Sequence, residues 1–276
     1  MQGFSSSFLI FFYQIALGGL FALAATPFHE IERAFYKSTA GVLYLFALLG
    51  LWGKSAFYRE TLGAQFSWSV SAEVFFHLCF VVCFTCYMFS LWRESRILRA
   101  RCFAWSLLTG IAGLVLTSQG FYRAGFLSVE TIVFPMAFLL SAGLLGSVTV
   151  GMLIGHWYLI DTGQSLEPFV RLYKFFVITL ILQCIYFALA PMALYFLGTA
   201  HSVAGMERLW QRHATLLTTR MLIGQIAPLV LSWMIWRTLM IPHTMAATGL
   251  FYIALLGVFV GEILGRQILA LTSLPF

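Results

Sequence analysis

Apolar residues in this chain fall in long blocks, with polar residues gathered between them. The blocks lie at roughly 8–27, 39–53, 67–91, 103–121, 131–159, 175–198, 216–236 and 244–270. Most are close to the ~20 residues that a helix needs to cross about 30 Å of hydrocarbon. The pattern predicts an all-α, polytopic transmembrane helix bundle of about eight spans, in a single integral membrane domain over 1–276. The second block is short and ends against Gly53 and Lys54, so it is expected to be tilted or to begin earlier, near Phe35. The fifth is long enough to imply tilt or a kink at Pro135, and Pro191 and Pro228 are expected to bend the sixth and seventh. The longest segment outside the blocks, HSVAGMERLWQRH in the region of 199–215, reads as a loop too short for a catalytic domain. Any chemistry therefore belongs in the membrane or at its edge. The uncharged start, Met1 to Ser7, lacks the basic region of a cleavable signal peptide, so the first helix is expected to be retained.

Composition narrows the class. Of 276 residues 61% are hydrophobic and 9% charged, against roughly 25% charged in soluble domains. Mean hydropathy is +0.91. A water-soluble enzyme is excluded on this count. The net charge of +6 sits in short loops, where arginines act as topology signals and do not form a nucleic-acid surface. Arg33, Lys37, Arg93, Arg96, Arg99, Arg101, Arg171, Lys174 and Arg237 fall on one side, nine in all. Lys54, Arg59, Arg123, Arg208 and Arg212 fall on the other, five in all. The positive-inside rule then puts the nine in the cytoplasm and both termini outside.

Cys79, Cys83 and Cys86 share a helix face at i, i+4 and i+7, with Cys102 and Cys184 elsewhere. No CxxC, CxxCH or Cys/His spacing is present, so they read as small hydrophobes. No metal site, and no iron–sulfur ligation by this chain alone, is expected.

Ionisable side chains inside a span cost at least roughly 2.5–3.5 kcal/mol and are functional candidates by default. Glu73 and His77, one turn apart in FSWSVSAEVFFHL, pair a carboxylate with an imidazole and are the candidates for proton exchange. Glu262 and Arg266 in FVGEILGRQIL form an i, i+4 ion pair that reads as structural. Beside it, Gly257, Gly261 and Gly265 make a stripe that admits a close helix. Arg220 lies just inside the seventh span, where it is expected to snorkel outward or otherwise to face an anionic group or a quinone carbonyl. Gln14, in FYQIALGGL, and Gln119 are uncharged groups suited to helix packing, or to a carbonyl ligand. His77 and His156 are the candidate haem ligands. His77 falls near mid-span and His156 near one surface beside Trp157 and Tyr158, so a shared haem requires unusual geometry.

These segments resemble the membrane-anchor subunits of dimethyl sulfoxide and polysulfide reductases, the NrfD-type superfamily. FFYQIALGGLFAL resembles that family's aromatic–Gln–x–x–x–Gly–Gly helix, and FSWSVSAEVFF its helix with an acidic residue near the quinone, placed here at Glu73. PMAFLLSAGLLGSVTVGML resembles a Pro–aromatic–small-residue span, and GVFVGEILGR the terminal Gly-Glu-x-x-Gly-Arg stretch. Eight spans with both termini outside also match. One departure is plain: the family's His-Leu-Gly-x-Pro after helix two is absent from GKSAFYRETLGAQF.

The resemblance implies a quinone-binding anchor without its own haem, in the bacterial cytoplasmic (inner) membrane. Such an anchor exchanges electrons with a partner iron–sulfur protein. Glu73 would then exchange protons with the quinone, and Arg123 or Arg220 would stabilise a quinone oxygen that gains charge. The residues alone leave other classes open: a b-type haem protein, a small-solute or proton transporter, or a cofactor-free scaffold subunit. The partners expected under the first reading are the bilayer and other proteins of a membrane complex, with no nucleic acid.

Overall fold

The computed structural model describes residues 4–26, 28, 30–64, 68–122, 125, 128–161, 163–241 and 243–276, with side chains for all of these except 4–6 and 60–64. The described residues form α1 (Phe4–Ala24), α2 (Arg33–Ala64), α3 (Trp68–Ser90), α4 (Arg96–Gln119), α5 (Glu130–Ile160) and α6 (Glu167–Leu197). A short α7 (Ala200–Arg212) follows, then α8 (Ala214–Met221), a π turn (Leu222–Ile226), α9 (Ala227–Met240) and α10 (Thr244–Thr272). With α8, the π turn and α9 taken as one span, eight helices among the described residues are long and apolar enough to cross a membrane. The chain is an integral membrane helix bundle.

Cross-helix contacts fix the directions. Gln14 meets Phe138 and Gly18 meets Ala142, so α1 and α5 run parallel. His77 meets Thr117, and Tyr87 meets Phe103, so α3 and α4 are antiparallel. The start of α1, the end of α10 and α7 therefore share one end of the bundle, called the N-face below. α5 and α1 form the centre: 78% and 72% of their apolar windows are buried, against 39% or less for the other spans. The α1–α5 crossing rests on glycine. A Cβ on Gly18 would overlap the Ala142 carbonyl, and one on Gly146 would overlap the Gly18 backbone. Small residues at such crossings let helices pack where no hydrophobic effect drives them together. Around the centre, Trp52, Phe75, Phe89, Trp105 and Phe196 are exposed, as suits side chains facing lipid.

Two elements differ from the sequence expectation. α2 is 32 residues long, about 48 Å at 1.5 Å per residue. It starts near Phe35 as expected, yet it continues past Gly53 and carries Lys54 inside the bundle. The presumed 199–215 loop is mostly the helix α7. Its N-terminus is tied to α5 by the Glu130 carboxylate, which accepts from the Thr199 N–H at 2.6 Å and the Ser202 hydroxyl at 2.8 Å. At the other bend, Pro228 has no N–H to give to the carbonyl four residues earlier. The turn before it widens to π form, with the Ala227 N–H reaching back to Leu222 O.

Candidate functional site

Two clusters of buried charge lie in the half of the bundle nearest the N-face. The first joins four helices. On α3, Glu73 and His77 stand one turn apart; on α2, Lys54 and Tyr58 do the same, so the two pairs meet face to face. The Lys54 ammonium lies 2.5 Å from Glu73 Oε1. The Tyr58 hydroxyl and the Thr117 hydroxyl of α4 each lie 2.9 Å from the same oxygen. Tyr58 Oη is also 2.7 Å from His77 Nδ1, and Thr117 Oγ1 is 3.2 Å from His77 Nε2. From α1, the Tyr13 ring packs on the imidazole at 4.3 Å between centroids, and its hydroxyl donates to Gly110 O at 3.0 Å. A Cβ on Gly113 would fall 2.8 Å from His77 Cδ2 and 2.6 Å from Tyr13 Oη. The bare backbone at this position therefore lets α4 come up against the imidazole. All six side chains are buried.

Glu73, Tyr58, His77 and Thr117 thus close a hydrogen-bonded loop. Each hydroxyl has one hydrogen to give, and a neutral imidazole has one. Three hydrogens serve four contacts, so each arrangement leaves one contact to Glu73 unmade, and two of them use the opposite His77 tautomers. In one, Tyr58 donates to Glu73, His77 Nδ1–H to Tyr58, and Thr117 to His77 Nε2. In the other, Tyr58 donates to Nδ1, Nε2–H to Thr117, and Thr117 to Glu73. A switch of the His77 tautomer reverses the loop without changing its net charge, and Lys54 balances the carboxylate in both. Tyr58 also lines a groove of about 540 Å³ between α2 and α3, together with Leu48, Leu51, Trp52, Ser55, Arg59, Val74 and Leu78. Trp52 and Leu78 are exposed, so the groove opens sideways toward lipid.

The second cluster joins α5, α6, α8 and α10. Glu262 Oε1 accepts from Gln183 at 2.5 Å and faces Arg220 at 3.5 Å. Its Oε2 faces Arg266 at 3.3 Å, and Arg266 also reaches Ser141 Oγ at 3.3 Å. The guanidinium carbons lie 4.7 Å from the Phe187 ring centroid for Arg220 and 5.0 Å from that of Phe138 for Arg266. Gly265 is what admits Arg220, because a Cβ there would collide with its guanidinium. Gly261 brings the backbone of α10 against Gly224 in the π turn, so the glycine stripe does carry a close helix contact.

The Glu262–Arg266 pair is present as the spacing predicts. Arg220 does not snorkel: it is 2% exposed and turned into the bundle toward Glu262. The physical reason is the carboxylate, which offers a paired charge where the surface would offer only water. Gln14 donates to Phe138 O at 2.8 Å, between α1 and α5, and Gln119 ends α4 in an exposed position. Gln14 and Arg220 therefore do not join Glu73 and His77 in one site. Arg123 lies outside the described residues. His77 and His156 are not brought together. Both α3 and α5 run away from the N-face, with His77 about 14 Å along α3 and His156 about 39 Å along α5, at 1.5 Å per residue. His156 is exposed there.

The residue that sequence reading misplaced is Lys54, taken there as a loop charge. Lys54 and Tyr58 at i, i+4, matching Glu73 and His77 at i, i+4, is the signal that could have found it. Thr117 has no such signal. The chain matches no known family model and no curated protein.

Proposed function

We propose that the chain is the quinone-binding membrane subunit of a redox complex and exchanges electrons with a partner iron–sulfur protein. The observation that carries this reading is the Lys54–Glu73–Tyr58–His77–Thr117 network at the back of a groove open to lipid. A hydrophobic quinol reaches such a groove from the bilayer, and its oxidation must release two protons with its two electrons. Of the network, Tyr58 is the residue that lines the groove. Tyr58 accepts a proton from a quinol hydroxyl as it passes its own to His77 Nδ1. His77 hands Nε2–H to Thr117, and Thr117 protonates Glu73. Lys54 then holds the remaining positive charge. Once Glu73 has released that proton at the N-face, the second follows in the reversed loop, from the quinol to Tyr58 as Tyr58 gives its own directly to Glu73. The electrons leave to the partner's cluster, and quinone reduction runs the same steps backward. The resemblance to the anchors of polysulfide and dimethyl sulfoxide reductases supports the same reading, with Glu73 as the proton-exchanging carboxylate.

Orientation belongs to this proposal. With Lys54 inside the bundle, the basic loop residues divide nine against four, the four being Arg59, Arg123, Arg208 and Arg212. That favours a cytoplasmic face opposite the N-face, with both termini outside, in a bacterial inner membrane.

The test is an absorption spectrum of gently purified protein, oxidised and dithionite-reduced, with solvent extraction of quinone from the same sample. Quinone without a haem band, lost in Tyr58→Phe or Glu73→Gln variants that still fold, supports the assignment. Wild-type protein that yields no quinone and binds no short-chain quinone analogue overturns it. A haem band would redirect attention to His77.

A further inference from the structure

The second charge cluster does not balance. Arg220 and Arg266 carry two positive charges and Glu262 one negative, and all three are at most 3% exposed. Arg220 Nε and Nη1 and Arg266 Nε have no hydrogen-bond partner, nor does Gln183 Oε1. A buried guanidinium with free N–H groups is costly in a medium without water and is stabilised by an acceptor that carries the missing charge.

A cavity of about 670 Å³ lies beside Arg220, bounded by α6, α7, α8 and the C-terminal Phe276. That volume is in the ordinary range for small-molecule sites. Phe187, Pro191, Leu209, Leu217 and Met221 give it a mostly apolar lining, the exposed Trp210 and Leu222 stand at its lipid side, and the polar Glu207, Gln211 and Thr218 of the lining are exposed. Phe187 is shared: it lines the cavity, and the Arg220 guanidinium stacks on it. The unsatisfied charge is therefore one aromatic ring away from an apolar space open to the bilayer.

We propose that this cavity binds a single-chain carboxylic-acid amphiphile, a long-chain fatty acid. The hydrocarbon chain lies in the cavity, and the carboxylate pairs with Arg220 once the Phe187 ring turns aside. The excess positive charge selects an anion over a neutral quinone carbonyl. Depth selects a carboxylate over a phospholipid headgroup. Arg220 is six residues into the span that begins at Ala214, about 9 Å below its start, whereas a phosphodiester stays at the interface.

The experiment measures the unfolding temperature of the full chain in nanodiscs of neutral phosphatidylcholine, titrated with oleic acid, methyl oleate, a short-chain quinone analogue or an anionic phospholipid. Oleic acid is expected to raise the midpoint in a saturable way, and methyl oleate and the phospholipid are not. The quinone analogue, which belongs to the α2–α3 groove, is expected to give a shift that is the same in the wild type and in Thr218→Trp. The oleic-acid shift is expected to vanish in Thr218→Trp, which fills the cavity from an exposed position of its wall, and in Arg220→Gln. Thr218→Trp keeps the test valid if Arg220→Gln fails to fold. Equal shifts with methyl oleate would reduce the site to hydrocarbon filling. A quinone-analogue shift that vanishes in Thr218→Trp, a response to the phospholipid with none to oleic acid, an oleate shift that survives in Thr218→Trp, or no oleate shift in the wild type would each overturn the proposal.

Discussion

Lys54→Met leaves the Glu73 carboxylate buried with two hydroxyl donors and no countercharge. At 2.5 Å and an effective dielectric of about 20, the Coulomb attraction between the two charges is roughly 6–7 kcal/mol. Part of that is offset by the cost of taking both ions out of water. Removing one partner of a buried pair leaves that cost unopposed for the other, and the measured loss for such breaks is about 3–5 kcal/mol. Lys54→Met is therefore expected to destabilise the bundle by about that amount. Glu73→Gln strands the ammonium in the same way. The double variant strands neither charge, so it should lie well below the sum of the singles, with a coupling of about 2 kcal/mol or more between positions 54 and 73. The assay is reversible unfolding in mixed micelles, followed by circular dichroism, on the wild type and all three variants. Additive losses, within about 0.5 kcal/mol, would show that the two groups do not act as a pair.

Four further outcomes follow from the same geometry. Glu262→Gln leaves two buried arginines facing each other, whereas Arg220→Gln leaves the neutral Glu262–Arg266 pair, so by unfolding midpoint the first is expected to be the more damaging, by about 3–5 kcal/mol against the wild type. Gly146→Leu pushes a side chain into the backbone of α1 and should cost more than the roughly 1–3 kcal/mol of ordinary overpacking. Gly249→Ala has open space around it and should be silent in the same assay. Glu130→Gln weakens both bonds that hold the start of α7, each worth about 1.5–3 kcal/mol as a bond to a charged group. Limited proteolysis should then cut near Thr199 faster, and an unchanged rate would mean that other contacts anchor α7.

Much of this protein is written locally. The eight apolar blocks needed only chain length and hydropathy, because a backbone in lipid must satisfy its hydrogen bonds within each helix. The i, i+4 pairs Glu73–His77 and Glu262–Arg266 were legible for a similar reason, since one turn of helix places them on one face. Hydropathy failed at the edges of spans. Lys54 lowered the local average and looked like a boundary, and α7 looked like a loop because an amphipathic helix on a membrane surface carries little net hydrophobicity. What only the tertiary structure decided is which helix faces which. Lys54 reaches Glu73 because α2 and α3 are antiparallel and in register, and Thr117 reaches His77 because Gly113 lets α4 approach. Arg220 turns inward because Gly265, on a helix more than forty residues away in sequence, leaves room for its guanidinium. Local hydropathy records the cost of placing a charge in the membrane, but the partner that compensates it comes from another helix, and that pairing appears only when the bundle closes.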